Sequence, residues 1–180
     1  SPYPSMLFGL ETAYLNMKNG RYLFDTLFSH GRCGIPINGL VWMGTAEEMN
    51  LRMEEKIKAG FSCVKLKIGA IDFESELALV KSIRKRFSKD VIELRVDANG
   101  GFSPAEAMDR LEVLARYDIH SIEQPIRQKQ WSEMARLCSV TPLPIALDEE
   151  LIGVNMKAMK EELLSVIKPQ YIVLKPTLHG

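Results

Sequence analysis

The sequence predicts an α/β protein, a (β/α)8 TIM-type barrel that is incomplete here, with about six β/α units in 180 residues. Three observations support this prediction. Short apolar runs alternate with helix-like segments, as in parallel sheets. Acidic residues end three consecutive runs, which favours a barrel because successive barrel strands are spatial neighbours. A complete barrel needs about 250 residues, so we expect the last two strands and their helices to be missing.

The first three units have recognisable helix starts. A segment with helical spacing precedes the barrel and ends before Gly20. Thr45 begins the next helix, with Glu48 in the capping-box position. Asp72 and Ser103 begin the following two helices, and a proline follows Ser103. The predicted helices are 8–18, 45–59, 72–87 and 103–117, and the predicted strands are 37–43, 63–68 and 92–97.

The last three units are shorter and follow the same alternation. Apolar runs predict the fourth and fifth strands, and each of these strands ends in an acidic residue. The sixth strand ends in a lysine. The predicted strands are 120–123, 144–148 and 171–175, and the predicted helices are 130–138 and 156–164.

Composition excludes several classes of function. Lys+Arg and Asp+Glu both number 23, which argues against a nucleic-acid surface. The chain lacks an apolar run long enough to cross a bilayer, so we expect no membrane partner. Cys33, Cys63 and Cys138 form no CxxC pair and indicate reduced thiols of a cytosolic protein, rather than a zinc site or a disulfide framework.

Two lysines share one face of the second predicted strand. In the segment VKLKI, Lys65 and Lys67 alternate with the apolar residues Val64, Leu66 and Ile68. Taken alone, the segment would also suit an edge strand with solvated lysines. In a barrel, the apolar face must meet the helices, so the lysines point inward, where burial demands a charged partner.

Three carboxylates supply that partner at the ends of successive strands. Asp97, Glu123 and Asp148 fall on the inward positions of strands three, four and five, and the alternation selects Asp148 over Glu149. Any one of these acids alone would more simply be a helix cap or a solvated strand end. Three oxygen ligands at one rim predict a hard-cation site that binds Mg²⁺, for which Mn²⁺ can substitute.

A third lysine completes the predicted chemistry. Lys175 takes an inward position on strand six, which lies opposite strand two in an eight-stranded barrel. Lys67 and Lys175 would therefore flank a small carboxylate substrate from two sides. A metal that binds the substrate carboxylate can stabilise an enediolate, so the pattern predicts proton abstraction alpha to a carboxylate.

These motifs resemble the enolase superfamily, which uses a lysine base with Mg²⁺ and an enediolate. The KxK pair, DAN, EQP, DEE and the strand-six lysine are similar to its muconate-lactonizing subgroup. Within that subgroup, INGL on strand one and LKPTLHG on strand six look most like the o-succinylbenzoate synthase family. The resemblance implies a carbon–oxygen lyase of menaquinone biosynthesis that dehydrates 2-succinyl-6-hydroxy-2,4-cyclohexadiene-1-carboxylate.

The resemblance also implies a role for each matching residue. It implies that Lys67 takes the alpha proton and returns it to the departing hydroxyl, that Lys65 supports the base and the substrate carboxylate, and that Lys175 stabilises the enediolate. The implied Mg²⁺ ligands are Asp97, Glu123 and Asp148. The candidates to support these ligands by hydrogen bonding are Asn99, Gln124 and Glu149, although hydrogen bonding within the loops would explain Asn99 and Gln124 equally well.

Family members carry an N-terminal α+β capping domain that closes over the substrate. We therefore expect residues 1–34 to be a helix and linker that follow such a domain, and residues 35–180 to be a partial barrel. Two alternatives stay open: a racemase or epimerase of N-acylamino acids or dipeptides, and an inactive barrel fragment. The two open barrel edges also predict self-association or binding of a complementary fragment.

Overall fold

The computed structural model describes residues 3–20 and 22–179. It contains a six-stranded sheet in which the strands lie in chain order and every adjacent pair is parallel. The strands are β1 Gly39–Val41, β2 Cys63–Lys67, β3 Glu93–Asp97, β4 Ser121–Glu123, β5 Ile145–Leu147 and β6 Tyr171–Ile172. The helices are α1 Pro4–Asn19, α2 Ala46–Lys58, α3 Phe73–Arg86, α4 Pro104–Ala115, α5 Trp131–Val140, α6 Lys157–Ile167 and α7 Pro176–His179. The predicted fold class is confirmed.

The sheet is a barrel wall that does not close. Strand order follows chain order from β1 to β6, as in a barrel, and in the described part of the chain β1 and β6 do not pair with each other. Each of these two strands therefore has one sheet neighbour and one open edge. Because the strands are parallel and in sequence, their carboxyl ends lie along one rim.

Helix capping follows the sequence signals closely. The Thr45 hydroxyl accepts a hydrogen bond from the Glu48 N–H at 3.3 Å, and the Glu48 carboxylate accepts one from the Thr45 N–H at 2.8 Å. Asp72 caps α3 by accepting from the Ser75 N–H at 2.9 Å. Each such cap stabilises its helix by about 1 kcal/mol. The caps fix where each helix begins, and therefore where each rim loop ends.

The hydrophobic core lies between the sheet and its helices. Alternate residues of β2 and β3 are buried there, and the residues between them lie on the opposite face, where all are partly buried except Asp97, which is fully buried. The sheet side of this core includes Val64, Leu66, Leu94, Val96, Ile122 and Ile145, and the helix side includes Val80, Ile83, Leu111, Leu114, Met134, Leu137 and Leu163. The predicted inward direction of the lysines on β2 is thereby confirmed.

The two edge strands are shorter than predicted. β1 covers Gly39–Val41 instead of 37–43, and β6 covers Tyr171–Ile172 instead of 171–175. An edge strand has one neighbour, so its ends lack half of the possible ladder bonds. At the end of β6, Val173 still donates to the Leu147 carbonyl at 2.8 Å, and Pro176, which has no N–H, begins α7.

Helix α1 lies outside the core. None of its described residues is buried, and its apolar side chains Leu10, Tyr14 and Met17 are exposed. The predicted division of the chain at residue 34 stays a prediction. All three cysteines are free thiols. Among the described residues, no helix is both long enough and apolar enough to span a membrane.

Candidate active site

The two lysines of β2 lie on the inner face against carboxylates. The Lys67 ammonium donates to Asp97 Oδ2 at 2.6 Å and to Asn99 Oδ1 at 2.7 Å. The Lys65 ammonium lies 2.8 Å from Glu123 Oε2 and 3.1 Å from Asp97 Oδ2. The Lys65 side chain is 20% exposed and the Lys67 side chain is 11% exposed, so neither projects into bulk water.

Two of the carboxylates are adjacent because of strand register. Asp97 on β3 pairs with Glu123 on β4, and Lys67 on β2 pairs with Asp97. Since the pairing places all three at the carboxyl ends of neighbouring strands, the charges meet at one point of the rim. The Asp97 side chain is fully buried, so its charge depends on the two ammonium groups beside it.

For each of these groups, burial and the nearest opposite charge shift the pKa in opposite directions. Burial raises the pKa of Glu123 to about 7, and the nearby Asp97 carboxylate adds to the rise while the Lys65 ammonium opposes it. Burial also works against ionisation of Asp97, but the hydrogen bond from Lys67 and the charges of both lysines lower its pKa. For Lys65, burial is outweighed by Glu123 and Asp97, which raise its pKa. The two ammonium groups therefore outweigh burial at Asp97, whereas burial prevails at Glu123.

A second charged pair lies farther along the sheet. Asp148 follows β5 directly and is buried, and its Oδ2 accepts a hydrogen bond from the Lys175 ammonium. Lys175 follows β6 and is about two-fifths exposed. Lys67 and Lys175 therefore approach the carboxylates from strands that lie four positions apart in the sheet order.

Asn99 connects the Lys67–Asp97 pair to Glu149, the residue that follows Asp148. Its side-chain oxygen accepts from Lys67, its amide nitrogen donates to Glu149 Oε1 at 2.8 Å, and its backbone N–H donates to Asp97 Oδ1 at 3.0 Å. Its backbone has a φ of 45°, a conformation that asparagine tolerates better than most residues. The predicted supporting residues Asn99 and Glu149 thus bond to each other across the rim.

Gln124 fixes the backbone after β5. It is fully buried, and its Oε1 accepts from the backbone N–H groups of Asp148 and Glu150, both at 3.2 Å. Its Nε2 donates to the Ile126 carbonyl at 2.9 Å and to Glu150 Oε2 at 3.2 Å. Gln124 therefore positions Asp148 through its backbone and does not reach the carboxylates of β3.

The donor set fits a hard cation. In the part of the chain that the structure describes, no three acidic, histidine or cysteine side chains converge closely enough to hold a metal as they stand, because lysine ammonium groups lie among the carboxylates. Two buried carboxylate oxygens, Asp148 Oδ1 and Glu149 Oε2, nevertheless have no hydrogen-bond partner. Buried carboxylate oxygens need a donor or a cation, and oxygen-only sets suit Mg²⁺. The assignment of Asp97, Glu123 and Asp148 as ligands stays a prediction.

Two residues of the rim, Trp42 and Glu150, were not predicted from the sequence. Trp42 places its ring centroid 5.4 Å from the Lys67 nitrogen, and strand alternation on β1 was the signal that could have found it. Glu150 is buried and accepts from the Lys129 N–H at 2.7 Å as well as from Gln124. The DEE motif contains Glu150, but its contact depends on a loop conformation that the motif does not encode.

The inner face holds an open cavity of about 280 Å³, lined in part by Lys65, Arg95, Ser121 and Glu123. A larger cavity of about 760 Å³ lies between α5 and the segment after β5. Glu150 lies at the rim and also lines the larger cavity. Its carboxylate already accepts hydrogen bonds from the Lys129 N–H and the Gln124 side chain. The charged groups of β2 to β4 therefore make the inner face the candidate active site.

Comparison with known proteins agrees with this geometry. The sequence model of the family described as "Enolase C-terminal domain-like" matches residues 48–171. The o-succinylbenzoate synthase of Desulfotalea psychrophila is 52% identical over 180 residues, covering 99% of this chain and 49% of that protein. The L-Ala-D/L-Glu epimerase of Bacillus subtilis is 32% identical over 113 residues, covering 62% of this chain and 31% of that protein.

Two solved structures match the chain over nearly its whole length. The crystal structure of MenC from Desulfotalea psychrophila matches with a TM-score of 0.86 at 51% identity, covering 98% of this chain and 49% of that one. The o-succinylbenzoate synthase from Thermosynechococcus elongatus, complexed with Mg in the active site, matches with a TM-score of 0.79 at 26% identity. The match covers 98% of this chain and 52% of that one. The chain thus spans about half the length of these relatives.

Proposed function

This chain belongs to the enolase C-terminal domain-like family, and from that membership and the rim geometry we propose that the complete protein is an o-succinylbenzoate synthase. The observation that carries the proposal is the contact of Lys67 with Asp97 and Asn99 on the inner rim. The reaction is the dehydration of a cyclohexadiene carboxylate to an aromatic acid. The identity of 52% to a synthase, against 32% to an epimerase, supports this choice.

We propose that Asp97, Glu123 and Asp148 hold Mg²⁺ and that Asn99, Gln124 and Glu149 support them. When bound, the ion supplies positive charge for the substrate carboxylate and for the enediolate that forms from it. A relative with bound Mg supports this assignment, as do the orphaned oxygens of Asp148 and Glu149.

The lysines then account for the proton movements. Lys67 in its amine form takes the alpha proton, and the electrons of that C–H bond pass into the enediolate. The resulting ammonium has hydrogen-bond acceptors in place, because Asp97 and Asn99 already accept from it in the structure. When the C–O bond breaks, the same ammonium returns the proton to the departing hydroxyl, and water leaves.

Lys65 and Lys175 stay protonated during this sequence. Lys65 is held by Glu123 and Asp97 and supplies a fixed positive charge beside the base. Lys175 reaches the rim from the far end of the sheet, so its charge faces the enediolate from the side opposite Lys67. Fixed charges aimed at a developing anion are an efficient source of rate acceleration.

A second candidate function is epimerisation of a dipeptide. Lysines on β2 and after β6 would also suit proton removal on one side of a carbon and proton return on the other. Dipeptide epimerases among the relatives support this candidate, at lower identity. The two functions differ in outcome, because the synthase yields an aromatic product and the epimerase exchanges one proton with solvent.

The test is the substitution Lys67→Ala in the complete protein, with Lys89→Ala as the control. Loss of a general base lowers turnover by about 10² to 10⁴-fold, while Mg²⁺ binding should be retained, because the substitution leaves all three proposed carboxylate ligands in place. Lys89 lies in an exposed pair with Asp118 and should have no effect on either quantity. Formation of the aromatic product is followed by absorbance, and incorporation of deuterium from D₂O into L-Ala-L-Glu tests the epimerase. Loss of Mg²⁺ binding in Lys67→Ala would mean that the lysine is structural.

The N-terminal segment and the open sheet edges connect this chain to the rest of the protein. We propose that residues 1–34 connect the partial barrel, residues 35–180, to a capping domain. Apolar side chains at the open edges, such as Leu40 on β1 and Ile172 and Leu174 at β6, support association with a second copy or with a complementary fragment. The 180-residue chain alone is proposed to be inactive, since it spans about half of its relatives.

A further inference from the structure

Strand register places Trp42 on the catalytic face. Leu40 and Val41 pair with Lys65 and Leu66, so Trp42 stands level with Lys67. Val41 is fully buried on the core side of β1. Because neighbouring side chains of a strand point to opposite faces, Trp42 points to the inner face, beside Lys67.

The indole covers the side of Lys67 that carries no hydrogen bond. The Lys67 nitrogen donates to Asp97 and Asn99 on one side, and the Trp42 ring centroid lies 5.4 Å away on another. An ammonium at this distance from an indole face is attracted to the ring. The lysine is therefore held between two oxygen acceptors and one aromatic surface.

The backbone that carries Trp42 is fixed from helix α2. Arg52 Nη1 donates to the carbonyl groups of Trp42 and Met43, both at 2.9 Å. The next residue is Gly44, where an added Cβ would lie 2.8 Å from Arg52 Nη1 and 2.7 Å from Glu48 Oε2. The glycine thus leaves room for the guanidinium that holds the strand end.

The Trp42 side of the rim is open. The residue is 56% exposed although its ring lies next to a nearly buried lysine, so part of the indole is available to a ligand on the inner face. We propose that Trp42 is a positioning residue for Lys67 and the apolar wall against which the ring of the substrate lies. This inference rests on the proposed function, because it takes Lys67 as the base.

The chemistry of the wall selects a substrate class. A molecule whose acidic carbon comes within reach of Lys67 must lie alongside the indole. A flat, unsaturated ring stacks on that surface, whereas the peptide group of a dipeptide would lose hydrogen bonds to water there. The wall therefore favours a cyclic carboxylic acid over an extended dipeptide.

The test compares Trp42→Leu and Trp42→Phe with the wild type in the complete protein. Leucine removes the aromatic face, and we expect an approximately tenfold rise in both KM and the Kd of o-succinylbenzoate, with a smaller change in kcat. Phenylalanine restores the ring, and both constants should stay within about threefold of the wild type. Trp131→Phe, on α5 and away from Lys67, is the control and should match the wild type.

A second readout needs no turnover. Reductive methylation of Lys67, quantified by peptide mass spectrometry, should be several-fold faster in Trp42→Leu because the indole no longer covers the nitrogen. Unchanged KM, Kd and methylation in Trp42→Leu would overturn the inference. Equal losses in Trp42→Leu and Trp42→Phe would also overturn it, because the role would then be structural.

The outcome for the wild type separates this inference from the proposed function. A wild type that neither binds nor converts the cyclic acid refutes the synthase and, with it, the ring-binding wall. The methylation rates then decide the positioning role alone: faster labelling in Trp42→Leu supports it, and equal rates overturn it.

Discussion

Replacing Lys65 by methionine tests whether the carboxylates of β3 and β4 form a cation site. Methionine is unbranched like lysine, is one atom shorter and removes the charge. Lys65 lies 2.8 Å from Glu123 and 3.1 Å from Asp97, and these carboxylate side chains are 8% and 0% exposed. In the absence of Mg²⁺, the substitution leaves two buried carboxylates with a single ammonium, that of Lys67, beside them.

The expected cost follows from this burial. Removing one partner of a buried ion pair destabilises a protein by about 3–5 kcal/mol. The lower end, about 3 kcal/mol, applies here because Lys67 still neutralises Asp97 and because the Lys65 side chain is 20% exposed. At about 2 °C per kcal/mol, the figure for larger domains, Tm in EDTA should fall by about 6 °C.

Added Mg²⁺ should reverse much of this loss. A ligand present at 100 times its Kd stabilises the state that binds it by about 2.7 kcal/mol. The variant should gain more than the wild type, because the ion takes over the charge that Lys65 supplied. The gap in Tm between the two proteins should therefore shrink by at least half at saturating Mg²⁺.

The assay is thermal unfolding of the complete protein, in EDTA and in saturating Mg²⁺. Lys89→Met is the matched control, because the Lys89 and Asp118 side chains are 63% and 58% exposed and such pairs contribute about 0–1 kcal/mol. Its Tm should stay within about 2 °C of the wild type in both buffers. A Lys65→Met gap of equal size in both buffers would show that no cation binds beside Lys65 and would refute the reasoning.

Two further predictions address the rim and the open edges. Asp148→Asn should weaken Mg²⁺ binding by about tenfold or more, and Glu149→Gln should weaken it less, as measured by calorimetric titration of the complete protein. The opposite order would contradict the assignment of Asp148 as the ligand. The 180-residue chain should self-associate in sedimentation velocity, and Ile172→Lys with Leu174→Lys should reduce association by charging the β6 edge. A monodisperse, compact monomer would refute the association.

The rim could be predicted because alternation and helix capping are local properties of the sequence. Val64 and Leu66 can be buried only if Lys65 and Lys67 face the other side, and the structure has this arrangement. The capping box at Thr45 depends on two residues three positions apart, and it also formed as expected. Strand order then followed chain order, which placed the acids on neighbouring strands.

Other features depend on distant parts of the chain and could not be predicted in this way. The length of β6 is limited by its open edge, which no residue within 171–175 reveals. Gln124 adopts a φ of 41°, and its amide reaches Asp148 and Glu150 across 24 and 26 positions of sequence. Such contacts are set by loop conformation, so the motif EQP indicates the residue but not its partners.

Charge balance connects the lysines to the proposed reaction. Three inner-face ammonium groups lie against three carboxylates, a set that is neutral when all six groups are ionised. A bound divalent ion adds two positive charges and competes with the ammonium groups for the same oxygens. Neutrality returns when a substrate carboxylate binds and when one lysine gives up its proton. On the proposed function, this balance favours an anionic substrate and an amine beside it, which we assign to Lys67; the contacts with Asp97 and the Trp42 ring then hold the ammonium that forms when the amine takes a proton.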